Sequence, residues 1–221
     1  MRTVIFVNGL VEDYATLARW LQPDDYRICA DGGTRHCAAL GLTPHVIVGD
    51  LDSADPEIVA RFVAAGAEVE RHPPQKDQTD LELALERALH DGADEIILLG
   101  ALGGRLDQTL ANLHIVAQRR WPVPVRIAEG GQLAHVLIGP DRLVIDLPPG
   151  SMVSVIPFSP VVTGITYAGL RYPLEDATLR FGSTKGVSNE VEERPASVTI
   201  QEGMLLVVEE PLNAVEKNNN R

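Results

Sequence analysis

Apolar positions in the first half of the chain alternate between two periods. Thr3 to Val7, Arg27 to Ala30, Val46 to Val48, Glu68 to Arg71, Glu95 to Leu99 and Val125 to Ala128 are short, β-rich runs that read as strands. Helical spacing lies between them. Tyr14, Leu17, Ala18 and Leu21 share a face of a helix stopped by Pro23, and Thr34 to Leu40 is a helix ended by Gly41. Pro56 to Ala65 is a helix closed by Gly66, and Thr79 to about His90 carries Leu81, Leu85, Ala88 and Leu89 on its apolar side. Leu106 to Arg119 is the last helix of the series. Strands alternating with helices predict an α/β domain, a mostly parallel sheet flanked by helices.

The texture changes near Gly130-Gly131. Beyond it, short apolar or alternating runs at Ala134 to Ile138, Leu143 to Leu147, Met152 to Ile156, Gly164 to Tyr167, Thr178 to Phe181, Ser197 to Gln201 and Met204 to Val208 are separated by turn signals such as Pro148-Pro149-Gly150 and Glu202-Gly203. No helical period intervenes, which predicts an all-β sandwich or barrel-like C-terminal domain. The expected domains are 1–131 and 132–221. The polar end, from about residue 212 and including Asn218-Asn219-Asn220, is expected to be a disordered tail.

Composition narrows the picture. The 221 residues include 45% hydrophobic and 23% charged ones, ordinary for a globular protein, and carry a formal net charge of −12. That charge argues against a nucleic-acid or anionic-membrane surface but leaves a nucleotide ligand open, because a divalent cation and backbone N–H groups can carry phosphates. Cys29 and Cys37 form no CxxC motif and are expected to be reduced. No signal-peptide pattern and no run near the ~20 apolar residues of a membrane span occurs, so a cytoplasmic protein is expected. The histidines show no metal-like spacing.

Polar motifs fall where the predicted strands end: Asn8-Gly9, Asp31-Gly32-Gly33, Gly49-Asp50 and Gly100 to Arg105. In open α/β sheets, ligands bind beyond the carboxyl ends of strands. After Val46 to Val48, Asp50 and Asp52 stand two positions apart. Continued strand geometry would put both carboxylates on one side, where mutual repulsion calls for a cation such as Mg²⁺. A competing reading has Asp50 opening a turn and Asp52 capping the helix after Asp55-Pro56. Thr79 and Glu82 make a capping-box pattern that leaves Asp80 in the first helical turn, while Lys76 and Asp77 read as solvated loop charges. Gly103-Gly104-Arg105 at a helix start permits close approach to phosphate, with Arg105 able to grip it bidentately and Asp107 nearby, though it is neither a Walker A loop nor a dinucleotide fingerprint. Farther on, Gly182 to Glu190 reads either as a hairpin loop turning at Gly186 or as a pocket in which Ser188 and Asn189 bond a polar heterocycle.

Asp31-Gly32-Gly33, Gly49-Asp50-Leu51-Asp52-Ser53, Asp77-Gln78-Thr79-Asp80, Gly103-Gly104-Arg105-Leu106-Asp107-Gln108 and Gly182-Ser183-Thr184-Lys185-Gly186-Val187-Ser188-Asn189-Glu190 follow one another in an order and spacing that resembles thiamine pyrophosphokinase of the bacterial type. The resemblance spans nearly the whole chain. It implies a catalytic α/β domain, a C-terminal β-sandwich, and a homodimer with active sites between subunits. It also implies Mg²⁺-dependent transfer of pyrophosphate from ATP to the hydroxyl of thiamine, giving thiamine diphosphate and AMP. By the same resemblance Asp50, Asp52 and Asp80 would hold Mg²⁺, with Asp31 adding to the acidic cluster. Asn8, Gly9, Asp31, Gly32, Gly33, Thr79 and Gly103-Gly104-Arg105 would lie on the ATP side, and Asp107 near the reacting groups. Ser188 and Asn189 of the partner subunit would contact thiamine. The animal enzymes stack thiamine on a tryptophan, and Tyr172 stands at the matching place. Asp107 and Asp80 both remain open as the acceptor of the alcohol proton.

Two rivals share parts of this pattern. Asp50-Leu51-Asp52 after a strand mimics the nucleophile motif of haloacid-dehalogenase-like phosphatases, but Gly49, Ser53 and the Arg105 loop fit that family poorly. A non-catalytic sensor of ATP or thiamine would have little use for the aspartate cluster.

Overall fold

Parallel pairing organises the first half of the chain. A computed structural model describes residues 1–212, so the expected tail falls almost entirely outside the described residues. The chain divides after Gly130 into two units. In the first, β1 (Arg2–Phe6), β2 (Tyr26–Ala30), β3 (Val46–Gly49), β4 (Glu68–Arg71), β5 (Glu95–Leu99) and β6 (Val125–Glu129) lie in the order β6-β5-β1-β2-β3-β4. Every adjacent pair is parallel, with registers such as Ile5↔Ile28 and Ile5↔Leu98. Central strands are covered on both faces, so Val4, Ile5, Phe6, Val46, Ile47 and Val48 are all buried. Helices α1 (Tyr14–Ala18), α2 (Thr34–Ala39), α3 (Pro56–Ala64), α4 (Asp80–His90) and α5 (Leu106–Ala117) fill the crossovers.

Strand order reverses between β5 and β1. The chain steps outward from β1 through β4, then returns to β5 on the other side. The loops after β1 and β5 therefore diverge at a crevice, the usual ligand position in such sheets.

The second unit is all-antiparallel. One sheet runs β12-β9-β14-β7, from β7 (Gln132–Ile138), β9 (Met152–Pro157), β12 (Asn189–Glu190) and β14 (Met204–Glu210). The other is 4-stranded, β11-β10-β13-β8, from β8 (Asp141–Ile145), β10 (Val161–Ala168), β11 (Ala177–Arg180) and β13 (Ala196–Ile200). Their inward residues, among them Ile145, Val155, Ile165, Leu179, Val198 and Val207, make one core, the sandwich architecture.

The hairpin reading of 182–190 is overturned. β11 pairs with β10 and β12 pairs with β9, so the intervening segment crosses from one sheet to the other. Gly186 is buried at the crossing rather than at an exposed turn. Its carbonyl accepts from the Val155 N–H at 2.8 Å, and a Cβ there would come within 2.5 Å of the Val155 carbonyl oxygen.

Candidate active site

A cavity of about 410 Å³ opens at the carboxyl ends of the parallel strands. Asn8 and Gly9 after β1, Asp31 after β2, Asp50 and Asp52 after β3, and Gly103 and Arg105 after β5 all line it. Lys76, Thr79 and Asp80 close it from the start of α4, and Gln108 and Asn112 from one face of α5.

Carboxylates converge on one side. Single oxygens of Asp31, Asp50 and Asp52 lie within 4.8 Å of one another. Strand alternation is not what brings them together. β3 ends at Gly49 (φ +143°), and Leu51 adopts φ +66°, so the chain turns back on itself. Asp50 Oδ1 accepts the Asp52 N–H at 3.1 Å, Asp52 Oδ1 accepts the Ser53 hydroxyl at 2.9 Å, and Asp31 Oδ1 accepts the Ser53 N–H at 3.3 Å. Half of the competing reading thus holds, since Asp50 does open a turn. The other half fails: the cap of α3 is Asp55, which accepts the Glu57 N–H, with Pro56 behind it. Burial is the main cause that pushes the Asp31 carboxyl above its ordinary range, and the charges of Asp80 and Asp52 add to it. Three close oxygens, that of Asp31 buried, suit a hard divalent cation.

Asp80 is engaged differently. Its Oδ1 accepts from Lys76 Nζ at 2.7 Å, and the same ammonium stands 3.9 Å from Asp50 Oδ2. Lys76 is therefore no solvated loop charge, its side chain being only 14% exposed, whereas Asp77 is exposed as expected. Thr79 caps α4 through a complete capping box with Glu82, which fixes where Asp80 enters the cavity.

On the opposite side, Arg105 is exposed and pairs with Asp107 at 2.5 and 3.1 Å. Asp107 does not line the cavity. Gly32 and Gly33 do not either: a Cβ on Gly32 would strike the Asn8 amide, and one on Gly33 the Phe6 carbonyl. They pack the β2 end beneath β1 and so set the position of Asp31. Asn112, buried with its Nδ2 donating to the Ala101 carbonyl at 2.6 Å, was not anticipated. Its signal in the sequence is a polar residue four positions after Gln108, on the same face of the helix.

The second unit holds the remaining expected residues. Asn189 is buried, and its amide is committed to the Tyr172 backbone: Oδ1 accepts the Tyr172 N–H at 3.0 Å and Nδ2 donates to the Tyr172 carbonyl at 2.8 Å. Tyr172 is left 62% exposed. Ser188 is exposed at φ +61°, with its N–H on Ser154 Oγ at 3.0 Å. Among the described residues, the non-glycine positions at positive φ are Asp31, Leu51, Asp176 and Ser188, and all but Asp176 lie at or beside expected site residues. Such conformations persist where the surrounding structure imposes them.

Comparison with known proteins separates the readings. Residues 17–125 match the family model for the catalytic domain of thiamin pyrophosphokinase, and 142–205 match that for its vitamin B1 binding domain. The thiamine pyrophosphokinase of Bacillus subtilis is 29% identical over 215 residues, covering 94% of this chain and 98% of the relative. The Caenorhabditis elegans thiamin pyrophosphokinase 1 is 30% identical over 179 residues, covering 75% and 71%. The chain belongs to the thiamin pyrophosphokinase family. Solved structures agree. The B. subtilis thiamine pyrophosphokinase superposes with a TM-score of 0.84 at 26% identity, covering 96% of this chain and 99% of that one. The Geobacillus thermodenitrificans thiamin pyrophosphokinase gives 0.81 at 28%, covering 97% and 99%. The family is one of enzymes, transferases by name. Its catalytic match contains Asp31, Asp50, Asp52, Asp80, Arg105 and Asp107, and its vitamin-binding match contains Tyr172, Ser188 and Asn189. Neither the phosphatase nor the sensor reading has comparable support. No helix among the described residues is long and apolar enough to cross a membrane.

Proposed function

We propose that the protein is a thiamine diphosphokinase that moves the terminal pyrophosphoryl group of ATP onto the hydroxyethyl oxygen of thiamine. The observation that carries this reading is the cavity itself, with the Asp31, Asp50 and Asp52 oxygens on one side and Arg105 beside a glycine turn on the other. In the reaction the thiamine oxygen forms a bond to the β-phosphorus, the bond from that phosphorus to the α–β bridging oxygen breaks, and AMP leaves with the electron pair. Such a transfer needs in-line positioning and neutralised phosphate charge more than covalent help. Asp31, Asp50 and Asp52 would hold Mg²⁺, which would supply neutralising charge to the phosphates. Arg105 exchanges its exposed pairing with Asp107 for bidentate contact with phosphate. Lys76, already between Asp80 and Asp50, adds a positive charge on the same side. Of the two carboxylates considered as proton acceptor, Asp80 lines the cavity and Asp107 does not, which favours Asp80.

The permanently cationic thiazolium of thiamine suits an acidic pocket. We assign its contacts to Ser188 and Tyr172 of the partner subunit in a homodimer, with Asn189 fixing the Tyr172 backbone rather than touching the substrate. Exposed Phe181 and Val187 lie close in sequence to Ser188, and exposed Tyr172 is tied through its backbone to the adjacent Asn189, which together support an interface there. Cys29 and Cys37, free and buried, fit a reducing cytoplasm. Incubation with ATP, Mg²⁺ and thiamine tests the reaction. AMP must accumulate only when all three are present, and either ADP as product or no turnover by a folded preparation overturns it.

A further inference from the structure

Behind the cavity wall, His36 is 1% exposed, and both of its ring nitrogens are engaged. Nε2 lies 2.9 Å from the Gly9 carbonyl oxygen, and Nδ1 lies 2.8 Å from the Tyr14 hydroxyl. Arg35 Nε stands farther from Nε2, at 3.4 Å, and the closer Gly9 carbonyl can only accept, so Nε2 carries the proton and the Nδ1 lone pair accepts from Tyr14. Burial, reinforced by the neighbouring Arg35 guanidinium, lowers the His36 pKa to about 4, so the ring is neutral near pH 7. Arg35 acts on the same turn, its Nη2 donating to the Asn8 carbonyl at 2.9 Å and the Gly9 carbonyl at 2.6 Å.

The far side of the turn is pinned as well. The Gly9 N–H donates to the Gly100 carbonyl at 2.7 Å, and the His36 ring packs so closely on Gly100 that a Cβ there would lie 3.1 Å from it. His36 therefore braces the strand-end turns of both β1 and β5, the two walls of the crevice where strand order reverses. Neither His36, Arg35 nor Tyr14 lines the cavity, whereas Asn8 and Gly9 do.

We propose that Tyr14, His36 and Arg35 are positioning residues that hold the Asn8 and Gly9 carbonyl dipoles away from the phosphates bound in the cavity those two residues line. This rests on the reading that the cavity takes the polyphosphate of ATP.

Nitrogen-15 NMR of the imidazoles and calorimetric titration with Mg·ATP and Mg·tripolyphosphate test it, the His36 signals being assigned by their loss in His36→Gln. Wild-type His36 must show a protonated Nε2 and bare Nδ1 from pH 5.5 to 8. Tyr14→Phe should weaken both ligands roughly fivefold and His36→Leu at least about tenfold, as expected for loss of buried hydrogen bonds. His36→Gln, whose amide can still donate to the Gly9 carbonyl, should recover to within about threefold of wild type. In turnover, the KM for ATP should rise while kcat and the KM for thiamine stay within about twofold. An Nδ1–H tautomer or an imidazolium at pH 7 overturns the proposal, as does unchanged binding in His36→Leu. Should that variant not fold, unchanged binding in Tyr14→Phe, which keeps the ring, is equally decisive. Wild-type protein that binds tripolyphosphate yet makes no AMP would refute the reaction and leave the network standing.

Discussion

At Gly49 the backbone leaves β3 with φ +143°, and a Cβ there would stand 2.9 Å from Asp80 Oδ1 and 3.2 Å from Asp31 Cβ. Gly49→Ala therefore both strains the turn and displaces Asp80, and turnover should fall more steeply than the urea midpoint moves. Asp52 is exposed and holds only local hydrogen bonds. Asp52→Asn should lower kcat at least ~100-fold, on the scale of losing a charge-stabilising group, with an unchanged melting temperature. Wild-type turnover in that variant would remove Asp52 from the metal assignment. His36 makes a pH prediction whose sign is fixed by its neutral state. Its folded pKa of about 4 lies below the ordinary 6.5, so between those values the unfolded chain binds the extra proton. Its contribution to stability is whole above pH 6.5 and is lost as pH falls toward 4. Urea unfolding at pH 7.5 and 5 should show a larger loss in wild type than in His36→Gln, and equal losses would contradict it. At this scale the sequence was only partly legible. Residue types announce Asp50 and Asp52 as a pair, and the family resemblance adds Asp31, but the turn that joins them depends on Leu51 at φ +66°, which nothing about leucine forecasts. Lys76 has one partner, Asp80, four positions on, but its approach to Asp50 comes from a distant loop, and the partner of Asn112, Ala101, lies outside its own helix, so neither role is legible locally.

Elements were more legible than contacts. Thr79 and Glu82 wrote the start of α4 in local chemistry, and the reciprocal bonds are present. Thr79→Ala should cost about 1 kcal/mol of stability by denaturant titration, and a larger relative loss of turnover because α4 delivers Asp80 to the cavity. The expected bounds of β4 and β5 match the structure, β5 through its apolar run Ile96 to Leu99. β12 escaped notice because two residues cannot show an alternation. The path of 181–188 was misread for a related reason. A glycine between two apolar runs signals a turn, but which strand each run pairs with is decided by the core that the two sheets share.

For the whole molecule, alternating β and α texture followed by turn-spaced strands was enough to give an α/β unit and an antiparallel sandwich. The order β6-β5-β1-β2-β3-β4 was not legible, since parallel partners are chosen by long-range packing. The convergence of the strand-end motifs was legible without it, because every parallel strand presents its carboxyl end to the same edge. Assigning Ser188 to the partner subunit makes a stringent prediction. A mixture of inactive Asp52→Asn and Ser188→Trp dimers, unfolded and refolded together, should regain about a quarter of wild-type activity through heterodimers with one intact site, as closed two-fold assembly requires. Recovery of none would place both residues in one subunit's site. The group transferred distinguishes a pyrophosphoryl transfer from a phosphoryl transfer. Phosphorus-31 NMR of the protein with ATP, Mg²⁺ and thiamine should show one AMP for each thiamine diphosphate formed, with no ADP and no thiamine monophosphate at any time. Thiamine monophosphate appearing with ADP would mean attack at the γ-phosphorus and would contradict it.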